Sequence, residues 1–203
     1  TGSALGMQVT AQVTEMDNPI GTMYGNSHEI VESIDCLKGD GPIDTMELVL
    51  AQADSLGYDI RSHLSDGSAL HEFKQMCVRQ GVKSDVIESL IEKPWSVLPK
   101  ADFSVEIVAQ SSGWISQIDA LTIGQVLCNL GAGRTGVAAS IDHGIGAELI
   151  KGIGEKIESG EPWIRFDVNS NMDKESVQRI QNAIQISSTK VHKESRIIQI
   201  ITN

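Results

Sequence analysis

The stretch MDNPIGTMYGNSHEIVE, residues 16–32, connects a strand-like segment to a helix-like one. The segment before it, Met7 to Met16, is rich in β-branched residues, which favours a strand. Pro19, Gly21 and Gly25 punctuate the stretch itself and indicate a loop. The sequence therefore predicts a strand, then a glycine-rich loop, then a helix.

Helical periodicity continues through the first half of the chain. Ser27 is the expected N-cap of the first helix, and Gly39 suits its C-terminal end. Asp44 and Glu47 resemble a capping box at the start of the next helix, which Gly57 is expected to end. Further helices are predicted at Ala69 to Gln80, Asp85 to Ile91 and Leu121 to Leu130.

The composition changes near Pro99, and this position is the best internal boundary. It predicts two domains, residues 1–96 and residues 97–203. The second half is expected to be rich in β-strands, with a late amphipathic helix that uses Val177, Ile180 and Ile184. The predicted strands are Ser104–Ala109, Trp114–Ile118, Ala138–Asp142, Trp163–Val168 and Ile197–Ile201.

Composition excludes several classes of function. With 203 residues, 40% hydrophobic and 21% charged, the chain can bury an ordinary globular core. Its net charge of −11 argues against nucleic acids and anionic membranes as partners. No apolar run approaches the ~18 residues that span a bilayer. The three cysteines are far apart without a CxxC pair, so we expect buried, reduced thiols in a cytoplasmic protein.

Gly131, Gly133 and Gly136 have the GxGxxG spacing of a dinucleotide-binding turn. That turn requires a strand before the first glycine and a helix after the last one. Here a helix-like segment precedes Gly131 and the strand-like VAASID follows, which is the reverse order. We therefore predict that Gly131 ends a helix with a positive φ and that the motif is a structural turn.

No other constellation assigns chemistry by itself. The five histidines show no metal-ligand spacing. His28 and Glu32 lie one helical turn apart and could be a ligand pair, although such a pair more commonly belongs to a solvated face. Trp95 and Trp163 are interpreted as packing residues. We find no nucleophile with a matching base, so the sequence assigns no catalytic and no cofactor-binding residue in this chain.

Two segments of the second half resemble the halves of a biotinyl or lipoyl carrier domain. They are SVEIVAQSSGWISQID, residues 104–119, and GIGEKIESGEPWIRFD, residues 152–167. The lysine that such carriers modify is missing, and LTIGQVLCNLG occupies its region. The resemblance implies a small barrel-sandwich-like β domain that is not a carrier.

Taken together, the chain resembles the C-terminal half of the pyrimidine-nucleoside phosphorylases, most closely the animal-type thymidine phosphorylases. The most specific match is M-D-x-P-[IL]-G-x-x-x-G-N at residues 16–26, followed by a helix with Glu29 and Glu32 in an E-x-x-E pattern. Other matching segments are DGSALHEFKQMCVRQG, LPKAD, LGAGR, IDHGIGAEL and GEPWIRF. The implied fold class is α/β (α+β): part of a mixed-sheet α/β domain, followed by a small β-rich, barrel-sandwich-like C-terminal domain.

The resemblance also implies an activity, the reversible phosphorolysis of thymidine to thymine and 2-deoxyribose 1-phosphate. In the family, the residues that bind phosphate and pyrimidine lie in the first half. The chain starts without Met and runs almost at once into a strand. We therefore expect that an N-terminal half, as a separate chain or a missing segment, supplies those residues, in an enzyme that is a homodimer. The alternatives are a non-catalytic binding or scaffold module and, more distantly, an AMP phosphorylase.

One family site maps onto this chain. Bacterial relatives bind a monovalent cation through two backbone carbonyls and a helix glutamate, which correspond to Ile20, Met23 and Glu32. Oxygen ligands suit a K⁺-like ion. The remaining ligands would lie in the missing half, and the resemblance implies no other cofactor. In the alternative reading, Glu32 makes a salt bridge or caps the loop.

Overall fold

The computed structural model describes residues 2–134, 136 and 140–202. The described helices are α1 Asn26–Lys38, α2 Ile43–Ser55, α3 Arg61–Ser65, α4 Ser68–Arg79, α5 Ser84–Glu92, α6 Ala120–Leu127 and α7 Lys174–Gln181. The described strands are β1 Thr10–Thr14, β2 Met23–Tyr24, β3 Phe103–Val108, β4 Gly113–Ile118, β5 Gly146–Leu149, β6 Lys156–Ile157, β7 Pro162–Val168, β8 Ile184–Ser187 and β9 Ile197–Thr202. The helix-and-strand fold class is confirmed, with helices dominating the first half and strands the second.

The strands form three sheets in which every described pair is antiparallel. β1 pairs with β9, a second sheet has the order β2-β5-β7-β3, and a third has the order β6-β4-β8. The four-stranded sheet therefore includes β2, which belongs to the loop region of the first half. Strands from both sides of the sequence boundary near Pro99 therefore pair within one sheet.

The main hydrophobic core lies in the second half around β7, an inner strand of the four-stranded sheet. Trp163, Ile164 and Phe166 of this strand are completely buried. Beyond Trp163 the strand alternates, with Ile164, Phe166 and Val168 buried and Arg165 and Asp167 only half-buried, so one face lies fully in the core. Val126 of α6 and Ile180 of α7 complete the same cluster. The interpretation of Trp163 as a packing residue is thus confirmed.

Several local predictions need correction. Gly25, and not Ser27, is the N-cap of α1, and Ser27 is buried inside the first helical turn. Asp44 does not form a capping box, because α2 begins after Pro42 and the Asp44 carboxylate binds a distant arginine. Ile184 lies on β8, beyond the end of α7, because the chain leaves the helix at Asn182.

The remaining differences concern short elements. Strands β2, β5, β6 and β8 have only two to four residues, too few to show a period. The predicted strand Ala138–Asp142 falls partly on residues 138 and 139, outside the described residues, and residues 140–142 are not a strand. Within the described ranges, no helix is long and apolar enough to cross a membrane. The three cysteines are unpaired and half-buried, where full burial was predicted.

Gly146 provides a test of how tightly α1 packs on β5. A Cβ added at Gly146 would lie 2.1 Å from Nδ1 of His28, whereas one added at Gly124 in α6 would meet nothing within 4 Å. We expect Gly146→Ala to lower the free energy of unfolding by about 1–3 kcal/mol, because β5 must move away from α1.

Gly124→Ala is the matched control for that substitution. It adds the same methyl group inside a helix, so it should raise the free energy of unfolding by about 0.5–1 kcal/mol. Urea denaturation of the two variants gives both values. Equal stabilities of the two variants would contradict the tight packing of α1 on β5.

Candidate functional site

The glycine-rich loop between β1 and α1 bends around a buried carboxylate. This segment, residues 17–25, is called the PIG loop below. Oε2 of Glu32 on α1 accepts hydrogen bonds from the backbone N–H of Thr22 at 2.6 Å and of Met23 at 3.0 Å. It also accepts one from the Thr22 hydroxyl at 3.0 Å. Glu32 is only 9% exposed, so these contacts replace the water that a carboxylate otherwise requires.

The loop can approach Glu32 this closely because residue 21 is glycine. Gly21 has a φ of +74°, in the left-handed region that favours glycine. A Cβ at this position would lie 2.2 Å from Oε1 of Glu32. The hydroxyl of Tyr24 donates to the carbonyl of Gly21 at 2.9 Å and fixes the turn from the other side. The glycine in the motif thus serves close contact with the carboxylate.

The structure brings together the three residues predicted to hold a cation. Ile20, Met23 and Glu32 all line one cavity of about 760 Å³, which residues of α6 also line. The hydrogen bonds of Glu32 are those expected of a loop cap, and all of them use Oε2. Oε1, the other carboxylate oxygen, is the atom nearest to a Cβ placed on Gly21. Loop capping is therefore present, and the cation site stays a prediction.

The predicted ligands would suit a hard monovalent ion. Nowhere in the described residues do three or more His, Cys, Asp or Glu side chains form a group that could hold a metal ion. A cation bound here would rest on the backbone carbonyls of Ile20 and Met23 and on one carboxylate. Such oxygen ligands match K⁺-like ions better than transition metals, which prefer nitrogen and sulfur.

His28 and Glu32 are neither a ligand pair nor a solvated face. His28 is 1% exposed, and its Nε2 lies 2.9 Å from Oδ2 of Asp167 on β7. The imidazole also packs edge-on against Trp95, with the ring centroids 4.9 Å apart. The solvated-face interpretation is wrong because α1 is covered by the second half of the chain. His28 instead links α1 to the four-stranded sheet.

Asp167 is the acceptor at the centre of this link. Its other oxygen accepts a hydrogen bond from the Ser104 hydroxyl at 2.6 Å, and Nε of Arg165 lies 3.6 Å away. Burial raises the pKa of Asp167, but the hydrogen bonds from His28 and Ser104 and the positive charge of Arg165 outweigh it. The net pKa is below the usual value, so the carboxylate is ionised at neutral pH.

Arg196 is a buried residue beside the candidate site that sequence reasoning missed. It precedes β9 in a segment with few family-specific features, yet only 5% of the residue is exposed. Its guanidinium donates to the carboxylates of Glu15 and Asp44 and to the carbonyls of Asn18 and Pro19 in the PIG loop. In the sequence, Arg196 is marked only by its position between hydrophilic residues and the apolar run IIQII.

The two carboxylates that pair with Arg196 have lowered pKa values. Burial raises the pKa of Asp44, and the hydrogen bond from Arg196 and the charge of Lys193 more than offset this effect. Burial likewise raises the pKa of Glu15, against hydrogen bonds from the backbone of Asn18 and from Arg196. Both groups are therefore ionised at neutral pH, as the buried guanidinium requires.

The GxGxxG turn forms part of the same cavity wall. α6 continues into a π-helical turn, Cys128–Ala132, in which Gly131 has a φ of 115°. This confirms that Gly131 ends the helix. The side-chain amide of Asn26 donates to the carbonyl of Ala132 at 3.1 Å, so the turn packs against the end of the PIG loop. Residues 135 and 137–139 of the motif region lie outside the described residues.

Comparison with known proteins identifies the family. Residues 114–187 match the model of the pyrimidine nucleoside phosphorylase C-terminal domain. The chain is 34% identical to the pyrimidine-nucleoside phosphorylase of Bacillus subtilis over 92% of its length. It is 35% identical to the thymidine phosphorylase of Rattus norvegicus over 83% of its length. The chain belongs to the pyrimidine-nucleoside phosphorylase family.

The chain corresponds to part of these phosphorylases. It covers 45% of the Bacillus subtilis relative and 39% of the Rattus norvegicus one. It thus spans about half the length of the curated relatives that it matches, in their C-terminal portion. The bacterial and mammalian relatives match at nearly equal identity.

The His28–Asp167 link makes stability depend on pH. Because the pKa of Asp167 is lowered in the folded state, its stabilisation is present above the unfolded pKa of about 3.9 and is lost as the pH falls through the folded value. We expect Asp167→Asn to lower the free energy of unfolding by about 1–3 kcal/mol between pH 5 and 7. The difference from the wild type should shrink below about pH 4.

Asp54→Asn is the control for this measurement, because Asp54 forms an exposed ion pair with Arg61. It should have a smaller effect at neutral pH, since exposed pairs contribute little. Denaturant unfolding at each pH provides the comparison. A loss for Asp167→Asn that is the same at pH 3 and pH 7 would contradict the assigned ionised state.

Proposed function

We propose that this chain is the C-terminal portion of a thymidine or pyrimidine-nucleoside phosphorylase, a pentosyltransferase of cytoplasmic nucleoside salvage. Together with an N-terminal half, it would catalyse the reversible phosphorolysis of thymidine to thymine and 2-deoxyribose 1-phosphate. The main support is the PIG loop, whose family-specific sequence is folded around Glu32. The phosphate and the nucleoside would bind mainly to the N-terminal half, in an enzyme that forms homodimers.

In this proposal, the chain contributes a wall of the active site and no attacking group. Phosphorolysis requires a pocket that neutralises the phosphate and excludes water. The PIG loop, α1 and the turn after α6 surround an open cavity large enough for a substrate or for a segment of the missing half. A K⁺-like ion held by Ile20, Met23 and Glu32 would supply a fixed positive charge near the phosphate.

The alternative is a non-catalytic binding or scaffold module. The second half favours it, because it has its own complete core around β7. The first half argues against it. Its helices leave many large apolar side chains exposed, including Ile43 at 84% and Leu56 at 73%. Such a surface is typical of a face that another part of a protein covers.

The native polypeptide separates these alternatives. We expect an antibody against this chain to recover, from its source, an assembly that releases thymine from thymidine only when phosphate is present. Each protomer of the assembly should have about twice the mass of this chain, since the relatives are about twice as long. The 21.9 kDa chain alone should be inactive. A native polypeptide of that smaller mass, without activity or a second chain, would favour the scaffold alternative.

The cation proposal has its own test in the active enzyme. At constant ionic strength, replacing choline chloride by KCl should increase kcat/KM for phosphate. Glu32→Gln should remove at least 90% of this increase, because the neutral amide loses the charge that attracts the ion.

Glu29→Gln is the matched control for the cation test. Glu29 is the other acid of the E-x-x-E pattern, and its carboxylate accepts one hydrogen bond, from the N–H of Gly25 at 3.1 Å. This variant should keep the K⁺ response. Activity of the wild type that does not depend on K⁺ would leave Glu32 with the role of a loop cap.

A further inference from the structure

Arg196 uses the full hydrogen-bonding capacity of a guanidinium. Nε and Nη2 donate to Oδ2 of Asp44 at 3.3 and 2.9 Å. Nη1 donates to the carbonyl of Asn18 at 3.1 Å and to the carboxylate of Glu15, and Nη2 also donates to the carbonyl of Pro19. These five bonds match the five N–H groups of the side chain. The pattern leaves no donor for a ligand, so the role of Arg196 concerns the protein itself.

The acceptors belong to separate parts of the chain. Glu15 follows β1, Asn18 and Pro19 lie in the PIG loop, and Asp44 lies in the first turn of α2. Arg196 is therefore the point where the C-terminal segment, residues 193–202, contacts both the PIG loop and α2. The N–H of Glu15 donates to the carbonyl of Arg196 at 2.8 Å, which ties the backbone of the two segments together as well.

The C-terminal segment is fixed on both sides of Arg196. The Ser195 hydroxyl and the Arg196 N–H both bind the carboxylate of Glu47 on α2, at 2.5 and 3.1 Å. On the other side, Ile197 begins β9, which pairs with β1 through Thr14. The guanidinium therefore starts from a rigid backbone, which reduces the entropy lost when its long side chain is ordered.

The two carbonyls bound by Arg196 precede the proposed cation ligand Ile20. Because peptide units are planar, fixing the carbonyls of Asn18 and Pro19 sets the orientation of two consecutive planes. The Asn18 side chain adds a third restraint, since its Oδ1 accepts from the N–H of Ile118 at 2.8 Å. Ile20 thus enters the loop in a direction that the C-terminal segment determines.

We propose that Arg196 is a positioning residue that sets the conformation of the PIG loop and, through it, the affinity of the loop for K⁺. The proposal rests on the proposed cation site. Glu32 binds the loop at the N–H groups of Thr22 and Met23, and Arg196 binds it at the carbonyls of Asn18 and Pro19. Ile20 and Gly21 lie between these two supports. The C-terminal segment, residues 193–202, therefore supports the site although none of these residues lines its cavity.

Hydrogen exchange in the chain tests the positioning directly. In Arg196→Met, the amides of Thr22 and Met23 should exchange at least tenfold faster than in the wild type. Amides of β7, which report global unfolding, should change much less. Arg196→Lys keeps the charge without the planar fork, and it should give an intermediate rate. Arg61→Met removes an exposed bidentate pair with Asp54 and should leave the loop unchanged.

The K⁺ response of the active enzyme tests the consequence. Arg196→Met should increase the K⁺ concentration for half-maximal activity at least tenfold, with kcat at saturating K⁺ within about threefold of the wild type. A variant that is merely unstable would lose kcat and exchange protection everywhere. Unchanged exchange at Thr22 and Met23 in both Arg196 variants would overturn the positioning role.

The two proposals fail in different ways. If the wild-type enzyme does not respond to K⁺, the cation part of the proposed function is wrong, and the exchange rates still decide whether Arg196 positions the loop. If wild type and Arg196→Met share one half-maximal K⁺ concentration, the link from Arg196 to the ion is wrong. Faster exchange at β7 that equals the change at the loop would show general destabilisation and would also overturn the proposal.

Discussion

A charged guanidinium can be buried only if all of its donors find acceptors, and this requirement organises the first half of the chain. Removing one partner from such a cluster leaves an uncompensated buried charge, which costs several kcal/mol. Arg196 therefore needs Glu15, Asp44 and the PIG loop in place together. The tail, the loop and α2 then form one cooperative unit, although they are far apart in sequence. The buried Glu32 carboxylate has the matching requirement for donors, which the N–H groups of Thr22 and Met23 supply.

The two halves of the molecule are held together in different ways. The second half buries a continuous apolar cluster around Trp163 and Phe166. The first half has few fully buried apolar residues, among them Ile34 and Ile87. It depends more on polar contacts with its neighbours, such as the bond from His28 to Asp167.

Much of the fold was predictable because helices and long strands carry their period in the sequence. Gly39 and Gly131 were recognised as helix ends since a positive φ favours glycine. The strands of two to four residues were missed, because so few positions show no alternation. The capping role of Ser27 was wrong because the sequence did not show that Gly25, held against β5, is where the chain enters the helix.

The candidate site was predictable only in part, for a related reason. The motif around residues 16–26 identified the loop, and the family pattern placed Glu32 beside it. Arg196 was missed because its partners lie about 150 to 180 residues earlier, and no local pattern connects them. His28 was misread since helical spacing shows which residues share a face but does not show what covers that face.

The pairing of β1 with β9 also constrains when the molecule can finish folding. Thr10 pairs with Thr202, so these partners lie at nearly opposite ends of the sequence. During synthesis, β1 and the PIG loop leave the ribosome long before β9 and Arg196 exist. The apolar core of the second half can form earlier, since its last buried residue, Ala183, precedes Arg196 in the chain. Completion of the loop therefore waits until residues 196–202 are translated, and termination before Arg196 would leave this region unfinished in an otherwise compact chain.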